Sequence, residues 1–144
     1  MNVPRRRSVL VVEDSDEDFA AIEEVIRRTG HADAVRATTA EKGLAMLRSA
    51  SLAERTAMVL LDLNTPGSDG RDVLRAIKSD ASLQAVPVVV LSTSANPRDI
   101  GRCYRSGANG YHVKPFDPGE FEGLVEKIIQ YWLFTSAPFE RGRA

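Results

Sequence analysis

The chain has 144 residues, a length that suits one domain with a sizeable core. Its formal net charge of −1 creates no global field that would attract nucleic acid, so we expect no nucleic-acid partner. The single cysteine, Cys103, cannot form an internal disulfide, and it favours a reducing compartment such as the cytoplasm. No apolar stretch approaches the ~20 residues of a membrane span, so we expect no membrane partner.

Short apolar runs alternate with helical patterns along the chain. Strands are predicted at residues 8–12, 34–37, 58–61, 87–91 and 110–113. Apolar residues at helical spacing predict helices around residues 19–26, 44–47, 73–77, 100–104 and 121–133. Gly30 is the predicted stop of the first helix. This succession of strand-then-helix units predicts a doubly wound α/β fold, in which helices cover both faces of a five-stranded parallel sheet.

The two ends of the chain fall outside this pattern. Residues 1–7 are basic and lack the apolar core of a signal peptide, so we interpret them as a flexible solvated tail. The strand and helix units extend over residues 8–130, which we take as one domain. Residues 131–144 are too few for a second domain and form a C-terminal extension.

Four of the predicted strands are followed by polar groups that suit phosphoryl transfer. Glu13 and Asp14 follow the first strand, Asp62 the third, Ser92 the fourth and Lys114 the fifth. Because the carboxyl ends of parallel strands lie along one edge of a sheet, these side chains should share a crevice. Each alone has an ordinary interpretation as a helix-capping acid, a cap hydroxyl or a surface lysine. The complete set predicts a functional site.

The residue types in this set each have a role in such chemistry. Clustered carboxylates repel one another unless a cation joins them, and a hard oxygen site of few acids and water suits Mg²⁺. One carboxylate can act as the nucleophile and form an aspartyl phosphate. Asp62 is the preferred nucleophile because it stands alone at its strand end, between apolar residues. Lys114 and Ser92 would then stabilise charge on the transferred phosphoryl oxygens.

Three segments closely resemble the motifs of the receiver domain of two-component response regulators, in order and in spacing. They are residues 11–14 (VVED), 60–70 (LLDLNTPGSDG) and 113–116 (VKPF). The resemblance implies the flavodoxin-like (β/α)5 receiver fold. It also implies that Asp62 accepts phosphate from a phosphohistidine of a sensor histidine kinase.

The same resemblance implies a metal site. Asp14 and Asp62 would bind Mg²⁺ directly, together with the backbone carbonyl of Asn64. Glu13 would contact the ion through water. The acid pair is a common variant of the two aspartates of this family, and Mn²⁺ could substitute for Mg²⁺.

The remaining roles implied by the resemblance concern the phosphoryl group. Ser92 would bind a phosphoryl oxygen after activation, although the neighbouring Thr93 leaves the register open by one residue. Strand alternation allows only one of the two to face the site, and we choose Ser92. Lys114 would pair with Asp62 or its phosphate, and Tyr111 would be the switch aromatic. The bond between Lys114 and its following proline would be cis in this family.

Aromatic residues cluster near the C-terminus. Residues 131–133 and the short tail to Phe139 resemble the extension of small response regulators that pair with phytochrome-type kinases. Such a cluster also predicts an interface, and we expect a symmetric homodimer through the last helix and tail, with Trp132, Leu133 and Phe134 as contact residues. The alternative is that Trp132 and Phe134 fold back on their own domain.

The sequence therefore predicts a phosphoacceptor signalling protein that acts through protein contact and is not an enzyme for a diffusible substrate. Aspartate-nucleophile phosphatases, one alternative, typically carry a second acid two residues after the nucleophile, where this chain has Asn64. The other alternative is a receiver-fold scaffold that no longer takes phosphate. The joint presence of Asp14, Asp62, Ser92 and Lys114 speaks against it.

Overall fold

The structure, a computed structural model, describes residues 6–67 and 69–138. Its strands are β1 (Arg7–Val12), β2 (Ala32–Ala37), β3 (Thr56–Leu61), β4 (Val88–Ser92) and β5 (Gly110–Val113). Its helices are α1 (Asp16–Thr29), α2 (Ala40–Leu47), α3 (Ala50–Arg55), α4 (Gly70–Ser79), α5 (Pro97–Arg105) and α6 (Pro118–Gln130), the last continuing into a π-helical turn (Tyr131–Thr135). Neighbouring strands are all parallel, in the order β2-β1-β3-β4-β5, which confirms the predicted doubly wound fold.

The observed elements differ from the predicted ones mainly by a short additional helix. Every strand begins within two residues of its predicted start. Helix α3 has six residues and was not predicted. A segment of this length is too short to display a helical period, although Leu52 and Ala53 pack inward. Within the described ranges, no helix has the length and apolar character needed to cross a bilayer.

The central strands are buried on both faces, which explains their nearly continuous apolar sequence. Successive side chains point to opposite faces of the sheet. On one face, the strands contribute Val9, Val11, Met58, Leu60, Val89 and Leu91 to a core shared with α1 and α6. On the other face, they contribute Leu10, Val12, Val59, Leu61, Val88 and Val90 to a core shared with α2 to α5. Packing on both sides gives the carboxyl edge of the sheet a rigid support.

Helix α1 begins directly after the first polar motif. The Ser15 side chain caps the helix by accepting a hydrogen bond from the Asp18 backbone N–H at 3.2 Å. This cap turns the chain sharply away from β1 and brings the first helical turn beside the strand end. The helix ends at Gly30, whose φ of 72° is in the left-handed region, as its predicted stop requires.

The loop after β3 depends on a close backbone approach between Leu63 and Gly70. Leu63 is buried, and its carbonyl accepts a hydrogen bond from the Gly70 N–H at 3.2 Å. A Cβ atom at position 70 would lie 2.7 Å from Leu63 Cα. Thr65 ties the same loop to α2, because its hydroxyl accepts a hydrogen bond from the Ala40 N–H at 2.9 Å. The path of the chain after Asp62 therefore requires a glycine at position 70.

We expect Gly70→Ala to lower the free energy of unfolding by about 1–3 kcal/mol, because the clash is with backbone and no rotamer relieves it. Gly123→Ala is the matched control. A Cβ there meets nothing within 4 Å. In the interior of α6 it should be neutral or should stabilise the protein by up to about 1 kcal/mol. Chemical denaturation measures both variants, and equal free energies of unfolding for the two would contradict this role of Gly70.

Candidate functional site

Three carboxylates converge where β1 and β3 end side by side. Val12 and Leu61 are partners in the parallel register, and the Asp62 N–H donates to the Val12 carbonyl at 3.1 Å. Glu13 and Asp62 are therefore neighbours, each one residue past the last strand pair. Glu13, Asp14 and Asp62 bring one carboxylate oxygen each to within 4.8 Å of one another. The structure thus brings together acids that are far apart in sequence.

The Lys114 ammonium lies among these acids. Its Nζ is 2.6 Å from Glu13, 3.1 Å from Asp18 and 3.2 Å from Asp62. The Lys114 backbone N–H donates to the Ser92 carbonyl at 2.8 Å, which continues the pairing of β5 with β4 by one residue. The lysine side chain is only 9% exposed, so its charge is balanced by carboxylates more than by water.

Asp18 was not among the site residues predicted from the sequence. Its contact with Lys114 shows that it also belongs to the cluster. No sequence spacing indicated this contact, because it depends on how α1 leaves the end of β1.

Burial and ion pairing together set the charge states of Glu13 and Lys114. Burial raises the pKa of Glu13 to about 7, against the opposing effect of the hydrogen bond and charge of Lys114, and the nearby Asp62 raises it further. Burial alone would lower the pKa of Lys114, but the hydrogen bond to Glu13 and the charge of Asp62 raise it above its ordinary value. Lys114 is therefore a permanent cation, whereas Glu13 changes its charge near neutral pH.

The donor set fits a hard divalent cation. Three carboxylates, from Glu13, Asp18 and Asp62, contact the Lys114 ammonium, and Asp14 lies beside Glu13 and Asp62, so excess negative charge remains when all four are ionised. Asp14 is exposed and open to a ligand. The Asn64 N–H donates to Asp62 Oδ1 at 3.0 Å, so the turn after β3 brings the Asn64 backbone next to the cluster. Carboxylate and carbonyl oxygens with water are the ligands that such cations prefer.

Arg36 of β2 holds the backbone of the acid pair. Its guanidinium donates to the carbonyls of Glu13 at 3.1 Å and Asp14 at 3.2 Å, and it pairs with Asp16 at 2.8 Å. It also lies 4.9 Å from the Phe19 ring centroid, within the range of a cation–π contact. This role of Arg36 was not predicted, because contacts between a side chain and a distant backbone leave no sequence pattern.

The loop after β4 is pinned by hydrogen bonds around Ser94. Ser92 is fully buried and Thr93 is exposed. The Ser94 N–H donates to Ser92 Oγ at 3.2 Å, and the Tyr111 hydroxyl donates to the Ser94 carbonyl at 2.8 Å. Ser94 Oγ donates to Asp99 at 2.6 Å. In the described part of the chain, no hydrogen bond joins the Ser92 hydroxyl to the carboxylate cluster.

The expectation of a cis bond between Lys114 and Pro115 was wrong. All peptide bonds among the described residues are trans. With this bond in the trans form, which X–Pro peptides prefer, Lys114 already contacts its three carboxylates. The position of the Lys114 side chain therefore does not require a cis bond.

The predicted interface residues differ in their exposure. Leu133 is buried in the core that contains α1 and α6, and Trp132 is partly buried against the same core. Phe134 is 44% exposed, and its ring meets His31 edge-on at a centroid distance of 5.6 Å. Leu133 therefore offers little surface to a second chain. Phe139 lies outside the described residues.

Comparison with known proteins gives concordant results. A family model described as the response regulator receiver domain matches residues 9–126. The probable methanogenesis regulatory protein FilR2 of Methanothrix harundinacea is 36% identical over 128 residues, which cover 87% of this chain and 83% of the relative. Response regulator Rcp1 of Synechocystis is 34% identical over 131 residues, which cover 88% of this chain and 89% of the relative.

Solved structures agree with these relatives. The phosphorylated cyanobacterial phytochrome response regulator RcpA matches with a TM-score of 0.87 and 36% identity, over 93% of this chain and 99% of that chain. The Mn²⁺-bound form of Rcp1 matches with a TM-score of 0.85 and 31% identity, over 92% of this chain and 99% of that chain.

Proposed function

The chain belongs to the receiver-domain family of response regulators, and we propose that it accepts a phosphoryl group from a sensor histidine kinase on Asp62, with Mg²⁺ as the metal. The observation that carries the proposal is the Lys114 ammonium, 3.2 Å from the Asp62 carboxylate within a cluster of acids at the sheet edge. The chain would act as a signalling protein that catalyses only its own phosphorylation and dephosphorylation.

Asp62 is the carboxylate best placed to act as nucleophile. Glu13 is almost completely buried and protonates near neutral pH, whereas the Asp62 side chain is 12% exposed. The Asn64 N–H holds Asp62 Oδ1, and Lys114 contacts Oδ2. An Asp62 oxygen would form the new bond to phosphorus while the bond to the kinase histidine breaks. Lys114 would then balance the charge gained by the phosphoryl oxygens.

The metal would be held by the residues that sequence analysis assigned to it. Asp14, Asp62 and the Asn64 carbonyl would bind it directly, with Glu13 through water. When bound, Mg²⁺ would neutralise negative charge on the transferred group. The Mn²⁺-bound structure of Rcp1 supports a divalent ion in this family and the substitution of Mn²⁺.

The loop after β4 would carry the signal. A phosphoryl oxygen would accept a hydrogen bond from the Ser92 hydroxyl, and reorientation of this hydroxyl would disturb the bond that Ser92 Oγ accepts from the Ser94 N–H. Tyr111 of β5 and Asp99 of α5 both form hydrogen bonds with Ser94. A displacement of Ser94 would therefore be transmitted to β5 and α5. Phosphorylation would thus bias the loop between two arrangements, a population change that a partner protein could detect.

We further propose a phytochrome-type kinase as the partner. Similarity to RcpA, a cyanobacterial phytochrome response regulator, supports this choice. The exchange would take place in the cytoplasm, in keeping with the single unpaired cysteine.

A homodimer through the end of α6 stays a prediction. The exposed rings of Tyr131 and Phe134 support it. They line a groove of about 910 Å³ between the C-terminal ends of α1 and α6, together with polar and charged residues such as Arg28 and Glu126. Exposed aromatic rings beside polar groups are typical of protein interfaces.

Phosphorylation of Asp62 is tested by incubation with a small phosphodonor and Mg²⁺. The expected product is an acid-stable, base-labile phosphate on the wild-type chain that is absent from Asp62→Asn, because the amide cannot form the acyl phosphate. Asp33→Asn is the control, since this exposed acid pairs with Arg6 away from the cluster. Its labelling should equal that of the wild type.

Three outcomes would overturn the proposal. No label on the wild type would favour the scaffold that takes no phosphate. Rapid turnover of unrelated phosphomonoesters would favour a phosphatase. Label that persists in Asp62→Asn would place the acceptor on another residue.

The dimer is tested by sedimentation of a Tyr131→Ser, Phe134→Ser double variant. We expect the double variant to dissociate at least about tenfold more readily than the wild type, because apolar area leaves the interface. Tyr104→Ser is the matched control, since Tyr104 is an equally exposed aromatic residue on α5. A monomeric wild type, or dissociation caused by Tyr104→Ser alone, would contradict the proposed interface.

A further inference from the structure

A second cavity, of about 520 Å³, lies between α4 and α5. Neither the carboxylate cluster nor Lys114 lines it. Its volume is within the range of about 300–1,000 Å³ that small-molecule sites occupy. Because a protein has few pockets of this size, the residues that line this cavity indicate what it could bind.

Positive charge dominates the lining. Arg71, Arg75 and Lys78 come from α4, and Arg102 and Arg105 come from α5. On α4, Arg75 and Lys78 follow Arg71 by four and seven residues, and on α5, Arg105 follows Arg102 by three. These spacings place the cations of each helix on one face of that helix. Two rows of cations therefore border the cavity, and like charges at such spacing destabilise a helix unless an anion is near.

Acidic side chains balance only part of this charge. Arg71 pairs with Asp69 at 3.3 Å and with Asp99 at 3.0 Å. Arg75 pairs with Asp72 at 2.7 Å. These two arginines pair with three carboxylates, of which Asp69 lines the cavity.

The other three cations lack a carboxylate within 4 Å in the described part of the chain. Lys78 Nζ donates to the carbonyls of Gln84 at 3.0 Å and Val86 at 2.8 Å, so neutral acceptors hold it in place. Arg102 and Arg105 are exposed on α5. The cavity is thus bordered by cations that a ligand could neutralise.

Arg71 supplies a further indication of a ligand. Its Nε is buried and has no hydrogen-bond partner among the described residues. A buried donor without an acceptor costs about 1–3 kcal/mol. The Arg71 side chain would have to shift to present this N–H to an anionic oxygen in the cavity, because Nε is buried.

We propose that this cavity binds a small polyanion that carries at least two phosphate groups. The planar fork of a guanidinium matches phosphate oxygens in geometry and charge. The unpaired cations stand on two helices, so a ligand with one phosphate group for each helix could pair with both sets. No aromatic side chain is among the described lining residues, so the anionic groups, and not a stacked ring, provide recognition.

Titration calorimetry with inorganic tripolyphosphate tests the proposal on the metal-free chain at low salt. The wild type should bind one equivalent saturably. An Arg102→Gln, Arg105→Gln double variant should bind at least about tenfold more weakly, because two charge-assisted contacts are lost. The control is an Arg27→Gln, Arg98→Gln double variant, which removes the same charge outside the cavity and should change affinity less than about twofold.

A second measurement does not depend on any variant. Tripolyphosphate should shift backbone amide resonances of α4 and α5 in the wild type. Absence of saturable binding, an equal loss in the control variant, or shifts confined to other elements would overturn the proposal. Tighter binding of hexaglutamate than of tripolyphosphate would also overturn it and point to an acidic protein segment. Because no metal or phosphodonor is present, the result is independent of Asp62 phosphorylation.

Discussion

One ammonium among carboxylates holds the site of this protein together. Lys114 Nζ contacts Glu13, Asp18 and Asp62, and it thereby connects β5, β1, β3 and the first turn of α1. Burying these charges is favourable only as a group, because removing one member of a buried ion pair typically costs about 3–5 kcal/mol. The same cluster that stabilises the sheet edge therefore also fixes the geometry in which phosphoryl transfer to Asp62 would occur.

The strand order explains why the cation is a lysine with a long stem. Because β4 lies between β3 and β5, the Lys114 side chain must extend past the end of β4 to reach Asp62, and further to reach Glu13 on β1. Strand β4 ends at the small side chain of Ser92, which leaves room for this reach. The loop that follows Ser92 therefore begins next to Lys114, whose backbone N–H donates to the Ser92 carbonyl.

Much of this site could be predicted from the sequence, because strand ends mark positions that a parallel sheet must bring together. Asp62 and Lys114 follow from that rule alone. Arg36 and Asp18 do not, because their roles depend on where a long side chain reaches and on how α1 leaves β1. The inward packing of Leu133 was missed for a related reason, since an apolar stripe does not reveal which neighbour covers it.

The most direct test of the buried ion cluster around Lys114 is the ionisation of Glu13 in the metal-free protein, measured by side-chain carboxyl NMR. The cluster predicts a titration midpoint near 7 in the wild type, set mainly by burial. In Lys114→Met the midpoint should rise, because the ammonium that favours the charged carboxylate is gone. A midpoint near the ordinary value of 4.5, unchanged by Lys114→Met, would show that the two groups do not form a buried pair.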